Sequence, residues 1–576
     1  MTALTRRRFL LTTGVTATAL GSGFLGSAPA WSSPRDRALR PDGSTLSTAA
    51  AADIGEGYRR LTAGPGWPMV VRTDLVGADA TRDERREPVA AFTQFTDLHI
   101  TDAQSPVRFE YLHPLLGGAF RPQETLGAVA TTRLVQRVNG LSGAPVTGRP
   151  LDFMITTGDS TDNHEQVELD WYFGLLNGGR LAQNTGADDR YEGVQDSGDP
   201  LYWHPDGQVR DRFRERGFPL VPGLLDDALR EFDTPGLRIP WYATFGNHDN
   251  TALGTLPSTL VPNLDEHYTG SRKIIGRDER ESRRDAAALQ DPQHRRDAPR
   301  VLDTRGGITR DITPDQRRAP LSTRDFLRAH TDPANTGPGP VGHGFGPDQV
   351  EEDAAYYTFR IAPGVTGIGL DSTNTAGFAE GSLGLEQFRW LERTLTAGSS
   401  RYVDELGHEQ RQAATDELFV LFSHHTSSTM NALLPDSRRP GEPRKSGGAL
   451  VDLLHRFPNV LAWVNGHSHR NEILAHRADE PEHGFWEINT ASHVDFPQLA
   501  RIIELADNGD GTLSLFTTLI EADSPYRADY ADRSPAALGA LYRELAFNDP
   551  HTDPAELGEA GDRNAELLIP GRLPVR

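Results

Sequence analysis

The sequence predicts an α/β protein, and three observations carry that prediction. Apolar runs alternate with segments of helical spacing between residues 88 and 470. Five of those runs stop at Asp, Asn or His, which is where open α/β sheets place their sites. With 576 residues, 37% hydrophobic and 24% charged, the chain has material for a large soluble core.

The elements follow in order. Residues 1–30 read as a signal peptide: a basic start, an apolar stretch diluted by Thr and Gly, and a cleavage site at Ala28-Pro29-Ala30. Arg6-Arg7, followed by Arg8-Phe9-Leu10, is similar to the twin-arginine export signal. The twin-arginine machinery is therefore an expected partner. The expected location is outside the cytoplasm: extracellular, periplasmic or in the envelope. The diluted apolar stretch argues against a stable membrane anchor. Residues 31–85 read as an extension punctuated by Gly and Pro, with one strand in "PMVVRTDL".

From residue 86 to 524 the pattern is that of one domain. "PVAAFTQFTDLHI" is a buried strand with a polar end, and "TLGAVATTRLVQRVNGL" has helical spacing. "PLDFMITTGDSTDN" and "IPWYATFGNHDN" repeat the strand-then-polar plan. Two inserts, 171–238 and 251–350, rich in Gly, Pro, Asp and Arg, interrupt it and read as a lid or pocket wall. Inside the second, "RDERESRRDAAALQDPQHRRDAPR" reads as a solvated helix or loop. "AAYYTFRIAPGVTGIGLDST" then reads as strand-turn-strand and "LGLEQFRWLERTLTAG" as a helix. "ELFVLFSHHTS" and "VLAWVNGHSH" are strands ending in histidine. The stretch 484–520 reads as strands with a hairpin at "DNGDGT"; that turn lacks the spaced ligands of an EF-hand. The tail, 525–576, is weakly patterned.

Composition excludes several functions. A net charge of -22 disfavours binding to a nucleic-acid polymer. The absence of cysteine removes disulfides, thiolate metal sites, cysteine nucleophiles and a lipidated N-terminal cysteine.

The polar strand ends are Asp97-x-His99, Gly158-Asp159, Gly246-Asn247-His248-Asp249, His424-His425 and Gly466-His467-x-His469. Residues i and i+2 of a strand point the same way, so Asp97 with His99, and His467 with His469 in an extended turn, can each reach one site. A glycine before Asp159, Asn247 and His467 allows a sharp turn there. Carboxylate, imidazole and amide oxygen suit Mn, Fe, Zn or Co, and the candidates exceed what one ion needs.

In this order the five blocks resemble the calcineurin-like dinuclear metallophosphoesterase superfamily, and the export signal, "GLEQFRWLERTL" and "ASHVDFPQLARIIEL" resemble a bacterial exported branch of it. The resemblance implies a four-layer α/β/β/α sandwich that hydrolyses a small phosphorylated substrate with two metal ions. It implies that Asp97, His99 and His469 bind the first ion, that Asp159 bridges both, and that Asn247, His424 and His467 bind the second. A bridging hydroxide would attack phosphorus. His248 would serve the leaving oxygen as acid or charge stabiliser, oriented by Asp249. Alignment on the strand end favours His424 over His425, which becomes an outer or substrate contact. Asp162 stands where purple acid phosphatases carry a tyrosine, which argues against an iron-tyrosinate enzyme.

Other polar residues read as structural. His164, His204, His343 and His493 are surface or satisfied histidines, with His493 and Asp495 the best placed among the remaining candidates. Arg108, Arg121 and Arg470 could reach a phosphate but read as structural. Two other functions fit the blocks. An exported nucleotidase or cyclic-nucleotide phosphodiesterase would need stacking aromatics, for which Tyr172, Trp203 and Trp241 are candidates. A non-enzymatic, metal-stabilised envelope protein would need the ligands but not the His248-Asp249 pair.

Overall fold

The computed structural model describes residues 42–571. The expected signal peptide lies outside them. Among the described residues no helix is long and apolar enough to cross a membrane.

Among the described residues, thirteen strands form the two large sheets. In chain order they are β1 (Val70–Arg72), β2 (Glu87–Phe95), β3 (Phe153–Thr157), β4 (Trp241–Thr244), β5 (Tyr357–Ala362), β6 (Val365–Gly369), β7 (Leu418–Phe422), β8 (Val460–Asn465), β9 (Glu472–His476), β10 (Phe485–Asn489), β11 (Leu499–Asp507), β12 (Thr512–Glu521) and β13 (Ala565–Pro570). The first sheet runs β1-β13-β12-β11-β2-β3-β4, and the second β5-β6-β7-β8-β10-β9. β2, β3 and β4 are parallel, as are β6, β7, β8 and β10. All five polar blocks follow the C-terminal ends of parallel strands: β2, β3 and β4 in one sheet, β7 and β8 in the other.

Alternation along each strand produces the layers. Phe92, Phe153, Ile155, Val420, Phe422, Val464, Ile503 and Leu515 pack between the sheets. Their neighbours point outward. Phe95, Met154 and Ile502 meet the helices Gly127–Gly140 (α1) and Gln166–Asn177 (α2). Phe419, Leu421 and Trp463 meet Leu385–Ala397 (α3) and Gly447–Leu454 (α4). The result is the expected four-layer α/β/β/α sandwich. Each buried Phe or Leu contributes about 1.5–3 kcal/mol, so these layers hold the strand ends in register.

The tail is built into this core rather than appended to it. A helix at Pro535–Asn548 (α5), capped by Ser534, packs on α1. β13 then pairs antiparallel with β12 and parallel with β1. The expected boundaries at 85 and 525 therefore cut through one sheet. β1 lies in the strand expected at "PMVVRTDL", whereas the six residues of β13 were too short a run to show their alternation in sequence. The extension also holds a hairpin, Thr48–Ala52 with Leu61–Pro65, that the sequence reading lacked.

The inserts are folded. The first expected insert begins inside α2. Tyr202, Trp203, Phe213, Phe218 and Leu224 pack against α5. Ala252, Leu256, Tyr268, Leu289 and Val301 pack with the loop from Val107 to Ala119. The first half of the charged segment is the helix Glu279–Gln290, which buries Ala286, Ala288 and Leu289, and a 3-10 stretch, Pro292–Leu302, follows it. The hairpin at "DNGDGT" joins β11 to β12 as expected.

Candidate metal centre

The two sheets bring their polar strand ends together. Asp97, His99 and His469 offer ligand atoms within 4.8 Å of one another, as do His99, Asp159 and His248, and Asp97, Asp159 and His424. His469 Nε2 is 3.3 Å from Asp97 Oδ1, and His99 Nε2 is 3.6 Å from Asp159 Oδ2. His424 Nε2 is 3.1 Å from the same Asp159 oxygen, and His467 Nδ1 is 3.2 Å from His424 Nε2. Asp159 thus stands between His99 and His424, where a shared carboxylate belongs.

The backbone reaches this arrangement differently from the sequence expectation. Asp97, His99, Asp159, His467 and His469 all have positive φ, between 44° and 69°. None is in extended strand, so strand alternation does not converge these pairs; tight left-handed turns do. Such residues cost about 1–3 kcal/mol each and persist where surroundings over-determine them. Here the chain is pinned by Asp97 N–H to Gly158 O (3.2 Å), His99 N–H to Asp159 O (3.0 Å) and Gly466 N–H to His424 O (3.0 Å). Gly158 supplies a left-handed turn, φ +86°. Gly246 and Gly466 serve close approach instead: a Cβ on Gly466 would lie 1.9 Å from Thr96 Oγ1 and 2.5 Å from Asp97 Oδ2.

Six of the seven candidate ligands, all but His467, are tied at one atom to a group outside the ligand set or to neighbouring backbone. Asp97 Oδ2 accepts from Thr96 Oγ1 (2.6 Å) and His467 N–H (3.0 Å). Asp159 Oδ1 accepts from His248 N–H (2.8 Å). Asn247 Nδ2 donates to Gly254 O (3.1 Å). His99 Nδ1 meets Asp162 Oδ1 (2.7 Å), His424 Nδ1 meets Thr157 O (2.8 Å) and His469 Nδ1 meets Asp495 Oδ2 (2.8 Å). The other atoms are left over. Asp97 Oδ1, His99 Nε2 and Asn247 Oδ1 are buried with no hydrogen-bond partner among the described residues. An unsatisfied buried polar atom costs about 1–3 kcal/mol, and metal coordination offsets that cost. The residues present fit a metal centre.

The charges agree with the geometry. Burial raises the Asp97 and Asp159 carboxyls, but neighbouring rings, His469 and His424 for Asp97 and His424 and His248 for Asp159, hold both far below the usual range. Burial lowers the His424 ring, yet Asp159 and Asp97 lift it to about 9. His469 is lowered by burial and lifted by Asp97 and Asp495 to about 10. His467 is pushed well down by burial, with His425 and His424 adding to the effect. Positive charge is demanded between the two carboxylates, which a cation satisfies in place of protons.

The remaining expectations divide. His425 has a ligand atom within 4.8 Å of those of His424 and His467, while its Nδ1 lies 2.8 Å from Ser372 Oγ and its Nε2 3.2 Å from Ala379 O. Asp249 is not placed to orient His248 as expected: its carboxylate accepts from Gly246 N–H, Thr161 N–H and Thr161 Oγ1. Those three bonds brace the loop from Gly246 to Asp249 against Thr161. His248 Nδ1 instead lies 2.7 Å from the Asp162 carbonyl oxygen. His164, His204 and His343 are buried and bonded to carbonyls of Leu321, Asp199 and Trp241. His493 is buried beside Tyr542. Arg108 and Arg121 pair with carboxylates. Sequence reasoning missed the role of Asp162, and gave Asp495 only second rank.

Gly254, inside the second insert, was also missed. Its φ is +65°, and a Cβ there would lie 2.3 Å from His248 Cδ2 and 2.4 Å from Asn247 Nδ2. Gly254→Ala is expected to displace both side chains and lower any turnover on the order of 10²-fold. Steady-state kinetics alongside a melting curve checks this: the melting temperature should fall by only a few degrees, the effect of about 1–2 kcal/mol of left-handed strain.

Neither a family model nor a curated protein matches the chain. Among solved structures it is similar to a dimetal phosphatase from Danio rerio, 11% identical over 76% of this chain and 100% of that one, TM-score 0.29. A purple acid phosphatase from yellow lupin (Lupinus luteus) seeds is 11% identical over 83% of this chain and 55% of its own, TM-score 0.26. GAP50, the anchor in the inner membrane complex of Plasmodium, is 8% identical over 82% and 98%, TM-score 0.24.

Proposed function

We propose that the chain is an exported, metal-dependent phosphoesterase of the calcineurin-like kind. One observation carries the reading: buried carboxylate and imidazole groups converge from five strand ends, with Asp97 Oδ1 and His99 Nε2 left without a partner among the described residues. Two ions of the Mn, Fe, Zn or Co type held there would supply the nucleophile and neutralise charge during in-line displacement at phosphorus.

The chain's own groups support that chemistry. Asp159 would be shared between the two halves. Asn247 would contribute a neutral oxygen, adding no repulsion toward an anionic ester. His248 Nδ1 donates to the Asp162 carbonyl, so its Nε2–H would be the proton donor to a leaving oxygen. Export rests on the Arg6-Arg7 segment of the sequence.

A nucleotide-specific enzyme is less favoured. Tyr172, Trp203 and Trp241 are fully buried in apolar clusters and offer no stacking face. A hydrolysis screen across phosphate monoesters and diesters, after metal removal and reloading with each ion, tests the reading. Turnover on at least one class, restored by metal, is expected. Two bound ions with no turnover on any class would favour the non-enzymatic alternative.

A further inference from the structure

Two carboxylates hold two histidines of the centre, and one arginine joins the two carboxylates. Asp495 Oδ2 lies 2.8 Å from His469 Nδ1, and Asp162 Oδ1 lies 2.7 Å from His99 Nδ1. Asp162 also holds His248 through its carbonyl, and its Oδ1 is 3.4 Å from His248 Nδ1. Arg121 grips Asp495 at two points, Nε to Oδ1 at 2.6 Å and Nη2 to Oδ2 at 2.9 Å. Its Nη1 lies 3.6 Å from Asp162 Oδ1 and donates to Gly118 O. The side chain is 4% exposed.

The arginine is itself fixed. Its N–H donates to Glu124 Oε2 at 2.9 Å, and that oxygen also accepts from Arg108 Nη2 at 2.6 Å. Arg108 closes the ring by pairing with Asp162. On the other half of the centre, His424 Nδ1 meets a neutral group, the Thr157 carbonyl, rather than a carboxylate.

A carboxylate behind a ligating histidine fixes its tautomer, with Nδ1–H outward and the Nε2 lone pair inward. A planar guanidinium gripping that carboxylate in two places fixes the carboxylate's own plane. We infer that Arg121 is a positioning residue that aims His469 and His99, and so sets the metal affinity of the half built on Asp97, His99 and His469. This rests on the metal-centre reading above, and it concerns residues that lie 374 positions apart in the case of Arg121 and Asp495.

The test is metal binding, with no substrate present. Metal-free protein is titrated with Zn²⁺ by calorimetry and with Co²⁺ by its visible absorption. In Arg121→Gln one of the two ions should bind about 10–100-fold more weakly, with the other unchanged. Arg121→Lys, which keeps the charge but not the two-point grip, should recover part of the loss. Asp495→Asn is the second variant: it keeps the size of the side chain and should weaken the same ion. Unchanged binding of both ions in Arg121→Gln, or different ions weakened by the two variants, would overturn the inference. Wild-type protein that takes up fewer than two ions would instead overturn the dinuclear reading.

Discussion

Asp159→Ala is expected to lose both metal ions and essentially all turnover. Its Oδ2 is 3.1 Å from His424 Nε2 and 3.6 Å from His99 Nε2, so one carboxylate serves both halves. Asp97 Oδ1 cannot replace it, lying 4.0 Å from His424 Nε2 and already 3.3 Å from His469 Nε2. The substitution also removes the acceptor for His248 N–H, which sits 2.8 Å from Asp159 Oδ1. Two effects follow from one change: ligands that face an uncompensated gap, and a loop that loses its anchor beside the site. Metal assistance is worth several kcal/mol of transition-state stabilisation, so the loss should be on the order of 10³-fold or more. The fold should survive, because the strand ends are held by apolar layers on both faces of each sheet. Elemental analysis after dialysis, with circular dichroism on the same sample, checks this. A folded variant retaining two ions would remove Asp159 from the shared position.

The sequence shows this site unevenly, and the reasons are physical. Strand ends were legible because five apolar runs, buried on both faces, stop abruptly at metal-ligand residue types. The four layers were legible only through the resemblance, since alternating runs do not say which sheet a strand joins. Backbone conformation was not legible. Asp97-x-His99 and His467-x-His469 look like strand pairs, and a left-handed turn at an Asp or His leaves no mark in composition. Outer partners were hidden by distance along the chain. Asp162 is 63 residues from His99, and Arg121 is 374 from Asp495. Asp249 misled for the opposite reason: adjacency to His248 suggested a contact, whereas its carboxylate turns back to Gly246 and Thr161. The aromatic candidates failed because an aromatic side chain reads alike in a pocket and in a core, and Trp241 proved to stack on His343 at 3.3 Å.

His248→Ala should separate binding from chemistry. His248 is 6% exposed, at the edge of a site whose other members are mostly more deeply buried, and its ring lies edge-on to His99 at 4.4 Å. Its Nδ1 donates to the Asp162 carbonyl, so a proton passed to a leaving oxygen would come from Nε2. With Nδ1–H committed, Nε2 carries a proton only in the imidazolium form. The His248 backbone N–H donates to Asp159 Oδ1, and Asp162 Oδ1 lies 3.4 Å from the ring's Nδ1. A positioned general acid contributes about 10²–10⁴-fold. The variant should therefore keep both ions and lose turnover in that range on alkyl phosphates, whose leaving oxygen needs the proton. On nitrophenyl phosphates, whose leaving group departs as a stable anion, the loss should be far smaller. A structural defect would lower both by the same factor, so the ratio between the two substrates is the diagnostic quantity. An equal loss on both, with both ions still bound, would place His248 in charge stabilisation rather than proton donation.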